Sequence, residues 1–168
     1  MERRTLLRLG LGSAVLLALA GGGAALLRPG LEGVRLTRAG REVLRAVTLA
    51  VLDGSLPQAA AAREQELARQ IARVEEFVSA LPRATRSELS QLVGLLGTAP
   101  GRVALAGLHA DWTEASVPDV QQALESMRQS RLELRRQAYH ALRDITNGTF
   151  YAVPEHWALM GYPGPPDL

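Results

Sequence analysis

Three histidines, His109, His140 and His156, are the side chains of this chain that titrate near neutral pH, since it has no cysteine. Two of them stand beside a carboxylate. His109 and Asp111 form an H-x-D pair, and His140 with Asp144 falls at i, i+4, on one face of a helix. A carboxylate can orient an imidazole for proton transfer or for holding a metal. Neither pair supplies the three convergent protein ligands that a catalytic metal usually has, so both are expected to be solvated surface pairs. The zero cysteine count removes thiolate-held iron–sulfur clusters, covalent c-type haem, disulfides and cysteine nucleophiles together. The expectation is therefore a chain with no catalytic residue, no cofactor-binding residue and no metal ligand. An enzyme built on the three histidines is the weakest of the functional alternatives.

The aromatic residues are distributed less evenly. Of seven, five fall in the last thirty positions: Tyr139, Phe150, Tyr151, Trp157 and Tyr162. Aromatic side chains dominate both cores and the hot spots of interfaces, so this end is expected to be a partner interface or the clasp of the chain's own core. Gly161-Tyr162-Pro163-Gly164-Pro165-Pro166 follows, a run that cannot be helical and fits an extended tail over 161–168.

The N-terminus carries an address. Glu2-Arg3-Arg4-Thr5-Leu6-Leu7-Arg8 precedes an uncharged stretch that ends in Ala18-Leu19-Ala20. A basic head, a moderately apolar middle and a small-residue exit at Ala18 and Ala20 read as a signal peptide over 1–20. The order Arg3, Arg4, any residue, Leu6, Leu7, Arg8 resembles a twin-arginine translocation signal, with Glu2 and Leu6 as its two departures from the commonest pattern. The alternative is an uncleaved anchor, because the uncharged run reaches Leu27 and approaches the length of a spanning helix. Gly21-Gly22-Gly23 argues against that alternative, since Gly is poor in helices. With residues 1–20 removed, three of the 19 basic residues and one of the 17 acidic ones leave, so basic and acidic charges balance. The basic isoelectric point is thus no argument for nucleic acid.

The elements that must position these residues are helical. Residues 21–36 are rich in Gly, Pro and Arg and read as a linker. Thr37 caps a helix to about Asp53, with Val43, Val47 and Val51 on one stripe. Ala59 to Leu81 is amphipathic through Leu67, Ile71, Val74, Val78 and Leu81, with Arg63, Glu64, Glu66, Arg69, Arg73 and Glu76 on other faces. Thr85-Arg86-Ser87-Glu88 reads as a capping box for a short helix carrying Leu89, Leu92, Val93 and Leu96. A further short helix is expected from Val103 to about His109. Ser116-Val117-Pro118-Asp119 opens a helix that nothing obvious stops before Asn147-Gly148; continued to Val153, it would span about 50 Å at 1.5 Å per residue. Glu75-Glu76 and Arg135-Arg136 read as solvated faces. No strand alternation is evident. The expected fold is all-α: five or six helices in one domain over 37–168, packed around the long C-terminal spine helix and preceded by a signal helix.

A family resemblance rests on the C-terminal residues. Phe150-Tyr151-Ala152-x-Pro154-x-x-Trp157, then Gly161-Tyr162-Pro163-Gly164-Pro165, the preceding Ser130, Arg131, Arg135, Arg136 and Tyr139, and the twin-arginine leader resemble the small subunit, subunit 3, of gluconate 2-dehydrogenase and related membrane-bound sugar dehydrogenases. The resemblance implies a non-catalytic chain without a cofactor of its own, partnered by a large flavoprotein subunit that holds FAD, usually alongside a cytochrome c subunit. It implies that the leader engages the twin-arginine translocase and exports the folded flavoprotein as a passenger. The resulting place is the periplasm or the outer face of the cytoplasmic membrane, with membrane association an open alternative. A different reading of the same residues is a free-standing periplasmic helical binding or structural protein with no dehydrogenase partner.

Overall fold

The computed structural model describes residues 28–164. The residues of the expected signal, Arg3, Arg4, Leu6, Leu7, Arg8, Ala18 and Ala20, and Pro165 of the expected tail, lie outside the described residues.

The described chain is mostly helical, with one small exception at its start. Leu31–Glu32 (β1) and Arg35–Leu36 (β2) pair antiparallel across a tight turn, Leu31 opposite Leu36 and Glu32 opposite Arg35. The all-α character holds, and this four-residue hairpin is an addition to it within the stretch 21–36, of which residues 28–36 are described. Leu31 and Leu36 are buried, and their side chains draw the segment onto the helices. The Gly30 amide donates to the Ser90 carbonyl at 2.9 Å, the Leu31 amide to Ser90 Oγ at 3.1 Å and the Leu36 amide to Glu75 Oε1 at 3.1 Å. The backbones come close enough that a Cβ on Gly94 would lie 2.4 Å from the Arg28 carbonyl oxygen, which is why both Gly30 and Gly94 lack a side chain.

Helix α1 (Arg38–Val51) starts as expected, with Thr37 Oγ1 accepting from the Gly40 amide. Val43 and Val47 are fully buried while Val51 is half-buried. Helix α2 (Ala60–Ala80) matches the amphipathic segment within a residue at each end. Helix α3 (Arg83–Leu96) begins two residues before the expected capping box, because Pro82 takes the cap position and its carbonyl accepts from the Arg86 amide. A single turn, α4 (Ala99–Gly101), runs directly into a π-helical turn over Arg102–Ala106. Trp112, buried in the loop beyond, donates its indole N–H to the Leu96 carbonyl at 2.7 Å and so closes the end of α3.

The expected spine is two helices. Helix α5 (Val117–Arg128) opens with a full capping box, Ser116 and Asp119 each satisfying the other's backbone, and helix α6 (Glu133–Phe150) follows after four residues. No Gly or Pro marks the break. Ser130 makes it: its Oγ accepts from the Leu132 amide, and its carbonyl accepts from Arg136 Nη1 at 2.9 Å. A serine bonding locally to backbone offers the chain an alternative to continuing the helix. The two helices then pack against each other.

The central element is consequently α1, which touches α2, α3, α5 and α6 and buries seven of its fourteen residues. Around Val43, Leu44 and Val47 gather Val74 and Val78 of α2, Leu92, Val93 and Leu96 of α3, Val120, Leu124 and Met127 of α5, and Ala138 and Leu142 of α6. A second, smaller cluster of Leu52, Leu56, Leu67 and Phe150 sits where the α1–α2 turn meets the end of α6. No helix among the described residues is long and apolar enough to cross a membrane.

Candidate functional site

The end of α6 and the segment after it hold most of the expected interface residues, and the structure sorts them into layers. Phe150 is interior, 1 % exposed, and belongs to the second cluster. Tyr151 is half-buried; its ring meets Phe150 edge-on at 5.0 Å and its hydroxyl lies 3.4 Å from Ser55 Oγ. Helix α6 ends at Phe150, and beyond it Pro154–Met160 forms a 3-10 turn none of whose residues is buried. Gly161 ends that turn in the left-handed region at φ 70°, a conformation that an L side chain rarely adopts. Trp157 is half-buried, donates its indole N–H to the Tyr151 carbonyl at 3.0 Å and packs against Tyr162 at 5.3 Å between ring centres. Gly164 lies against the Trp157 ring, and Pro163 between them is exposed. Leu159, Met160 and Tyr162 are exposed large side chains on this same short stretch. Tyr139, eleven residues earlier on α6, packs half-buried against the main core and edge-on to His140 at 5.2 Å. It does not join the others.

Beneath the aromatic layer is a polar network of Gln70 with Glu66, Arg69 and Arg73, the last three expected on faces of α2 other than its apolar stripe. Glu66 and Gln70 are buried, and Gln70 is 0 % exposed. Gln70 Nε2 donates to the Thr146 carbonyl at 3.0 Å and to Thr149 Oγ1 at 2.8 Å, while its Oε1 accepts from Arg73 Nε at 3.1 Å. Arg73 Nη2 also donates to Glu66 Oε1, and Arg69 lies 3.5 Å from Glu66 Oε2. His156 reaches the same carboxylate from the C-terminal segment, Nε2 to Oε1 at 3.4 Å, with its Nδ1 against the Phe150 carbonyl at 2.5 Å. Glu66, Gln70 and Arg73 recur at spacings of four and three, the helical spacing of a stripe facing one way. That periodicity was the available signal, obscured because charged residues normally point to water.

The other candidate pairs do not assemble. His109 and His140 are exposed. Asp111 is ion-paired with the buried Arg102, which also donates to the Leu108 and His109 carbonyls and so pins that loop. Asp144 has Arg143 as its partner at 3.3 Å. Among the described residues no group of three or more His, Asp and Glu is placed to hold a metal ion. Arg135 is not simply solvated: its Nε donates to the Leu105 carbonyl at 2.7 Å, tying α6 to the π-helical turn. Glu75 likewise serves the hairpin and Arg41 rather than water.

Comparison of the chain with protein-family models, curated proteins and solved structures returns no match. What the geometry shows here is exposed large side chains, Leu159, Met160 and Tyr162, on a short segment that the Trp157 indole ties to the Tyr151 carbonyl.

Proposed function

We propose that this chain is a non-catalytic accessory subunit of an exported flavin-dependent dehydrogenase acting on sugars, gluconate or alcohols, which supplies the export signal and binds the flavoprotein. The observation that carries the reading is the C-terminal pattern: Phe150 and Tyr151 rooted at the helix end, Trp157 bracing the turn, and Leu159, Met160 and Tyr162 left exposed beyond it. Exposed apolar side chains grouped beside a rigid aromatic are the composition of an interface centre. The resemblance of these residues and of the Arg3-Arg4 leader to subunit 3 of gluconate 2-dehydrogenase names the partner class, with FAD on that partner and a cytochrome c subunit as a further companion. A chain without cysteine has no evident need for an exporter of folded proteins, which assigns the leader to a loaded passenger.

Co-purification tests this. The chain should isolate from periplasm or membrane with a flavoprotein, and Arg3→Lys with Arg4→Lys should leave both this chain and the flavoprotein activity in the cytoplasm. Isolation of the chain alone, or unchanged export of both, refutes it. The second reading, a free-standing helical protein whose aromatic end closes its own core, is favoured by the burial of Phe150 and the inward turn of His156.

A further inference from the structure

The short segment that carries the exposed side chains is built around one residue. Trp157 is held at both its backbone and its ring. Its indole N–H donates to the Tyr151 carbonyl at 3.0 Å, its own carbonyl accepts from the Tyr162 amide at 3.1 Å, and its ring packs on the Tyr162 ring with 5.3 Å between centres. Two glycines turn the chain back to make this wrap, Gly161 at φ 70° and Gly164 at φ 99°, in a region that L side chains rarely adopt. Gly164 thereby comes to rest, half-buried, against the six-membered ring of the indole.

The 3-10 form decides what stands above these anchors. Three residues make a turn, so side chains at i and i+3 eclipse. Over Pro154–Met160 this puts Met160 in the row of Trp157, and Leu159 in the row of His156, whose ring is stacked on the buried Phe150 at 3.8 Å. Each of these exposed apolar residues is therefore one turn above a rooted one. Tyr162 is exposed as well, yet its ring is seated on Trp157. Glu155, the only carboxylate between Pro154 and Gly164, falls in the third row with Ala158.

Building on the accessory-subunit reading, we infer that Trp157 is a positioning residue of the interface: it sets Leu159, Met160 and Tyr162 in their bound arrangement before the partner arrives, and the surface they fit on the flavoprotein is apolar. A partner that meets an arranged site does not have to order these residues at encounter, so the wrap governs the fraction of chains able to bind. Losing Trp157 slows association. It leaves dissociation, which reports the contacts themselves, nearly unchanged.

The test uses the full chain, immobilised, and the flavoprotein that co-purifies with it, recognised by its flavin absorbance, so that both rate constants are measured. Trp157→Leu removes the hub of the wrap, whereas Gly161→Ala strains its reversal and keeps Trp157 and every exposed side chain. In NMR of the free chain, the Gly164 α-protons, shifted upfield by the indole ring, report the wrapped fraction of wild type and Gly161→Ala. Protection of the Trp112 indole N–H, which is bonded to the Leu96 carbonyl, reports that the body of each variant is folded. The expected result is association about tenfold slower in Trp157→Leu, and slowed in Gly161→Ala in proportion to the upfield shift lost, with dissociation changed less than about twofold in either. Leu159→Ser, which alters a contact, should instead speed dissociation. Unchanged association in Trp157→Leu, or a loss confined to dissociation, overturns the inference and leaves the accessory-subunit reading standing. Wild-type Gly164 α-protons without an upfield shift overturn it in the same way. A wild-type chain that captures no flavoprotein ends that reading and this inference together.

Discussion

The imidazole of His156 stacks on the ring of Phe150 with 3.8 Å between centroids, while the guanidinium of Arg73 sits 5.9 Å from the centroid of that same Phe150 ring. One buried aromatic thus collects a residue of the 3-10 segment and a residue of α2, and the C-terminal end divides into an anchored layer and a presented one.

That division predicts unequal costs. Phe150→Ala empties a buried site and should destabilise the fold by about 3–5 kcal/mol. Trp157→Ala removes one hydrogen bond and half-buried packing, and should cost about 1–2 kcal/mol. Urea denaturation of the two variants measures the difference. Equal losses would mean that Trp157 belongs to the core.

The polar network under the 3-10 segment should matter as much as apolar packing. Gln70→Leu keeps roughly the same volume but strips partners from the buried Thr149 and the half-buried Arg73. The expected loss is about 1–3 kcal/mol, read from the same denaturation curves. A neutral or stabilising result would show that the network contributes geometry without net stability.

The hairpin seam gives a third outcome. Gly94→Ala would place a methyl 2.4 Å from the Arg28 carbonyl oxygen and 2.9 Å from the Gly30 amide, backbone atoms with no rotamer to yield. The hairpin should lift from α3, with a cost of about 1–3 kcal/mol and faster tryptic cleavage at Arg35. Cleavage at the wild-type rate would show that the seam absorbs the methyl.

One titration can be assigned by direction and position. At the end of α5, Arg128 and Gln129 donate to the exposed Glu125 and hold its carboxyl down at about 2. A depressed carboxyl keeps its favourable pairing above the ordinary carboxylate range and loses it as pH falls through that low value. NMR titration of the Glu125 carboxyl should show this midpoint, and Arg128→Ala should return it most of the way to the ordinary range. Because the group is fully exposed, neither change should shift the melting temperature detectably.

Much of the helical layout was legible because it rests on local rules. Thr37 and Ser116 cap as their side chains dictate, and Leu67, Val74 and Val78 face inward as their spacing requires. What was not legible depends on partners distant in sequence. The strands at Leu31 and Leu36 are two residues each and exist because Ser90 and Glu75 accept their amides, 59 and 39 positions away. The break at Ser130 comes from a hydroxyl choosing its own backbone, without the Gly or Pro that usually announces an end. Within the candidate site, the aromatic cluster was evident from composition, whereas Glu66 and Arg73 read as surface charges until His156 and Gln70 were seen to meet them.

The docked hairpin also decides where the described chain enters the fold: with the Arg28 carbonyl packed on Gly94 and the Gly30 amide bonded to the Ser90 carbonyl, its first described residues are fastened to α3 and not to the C-terminal segment.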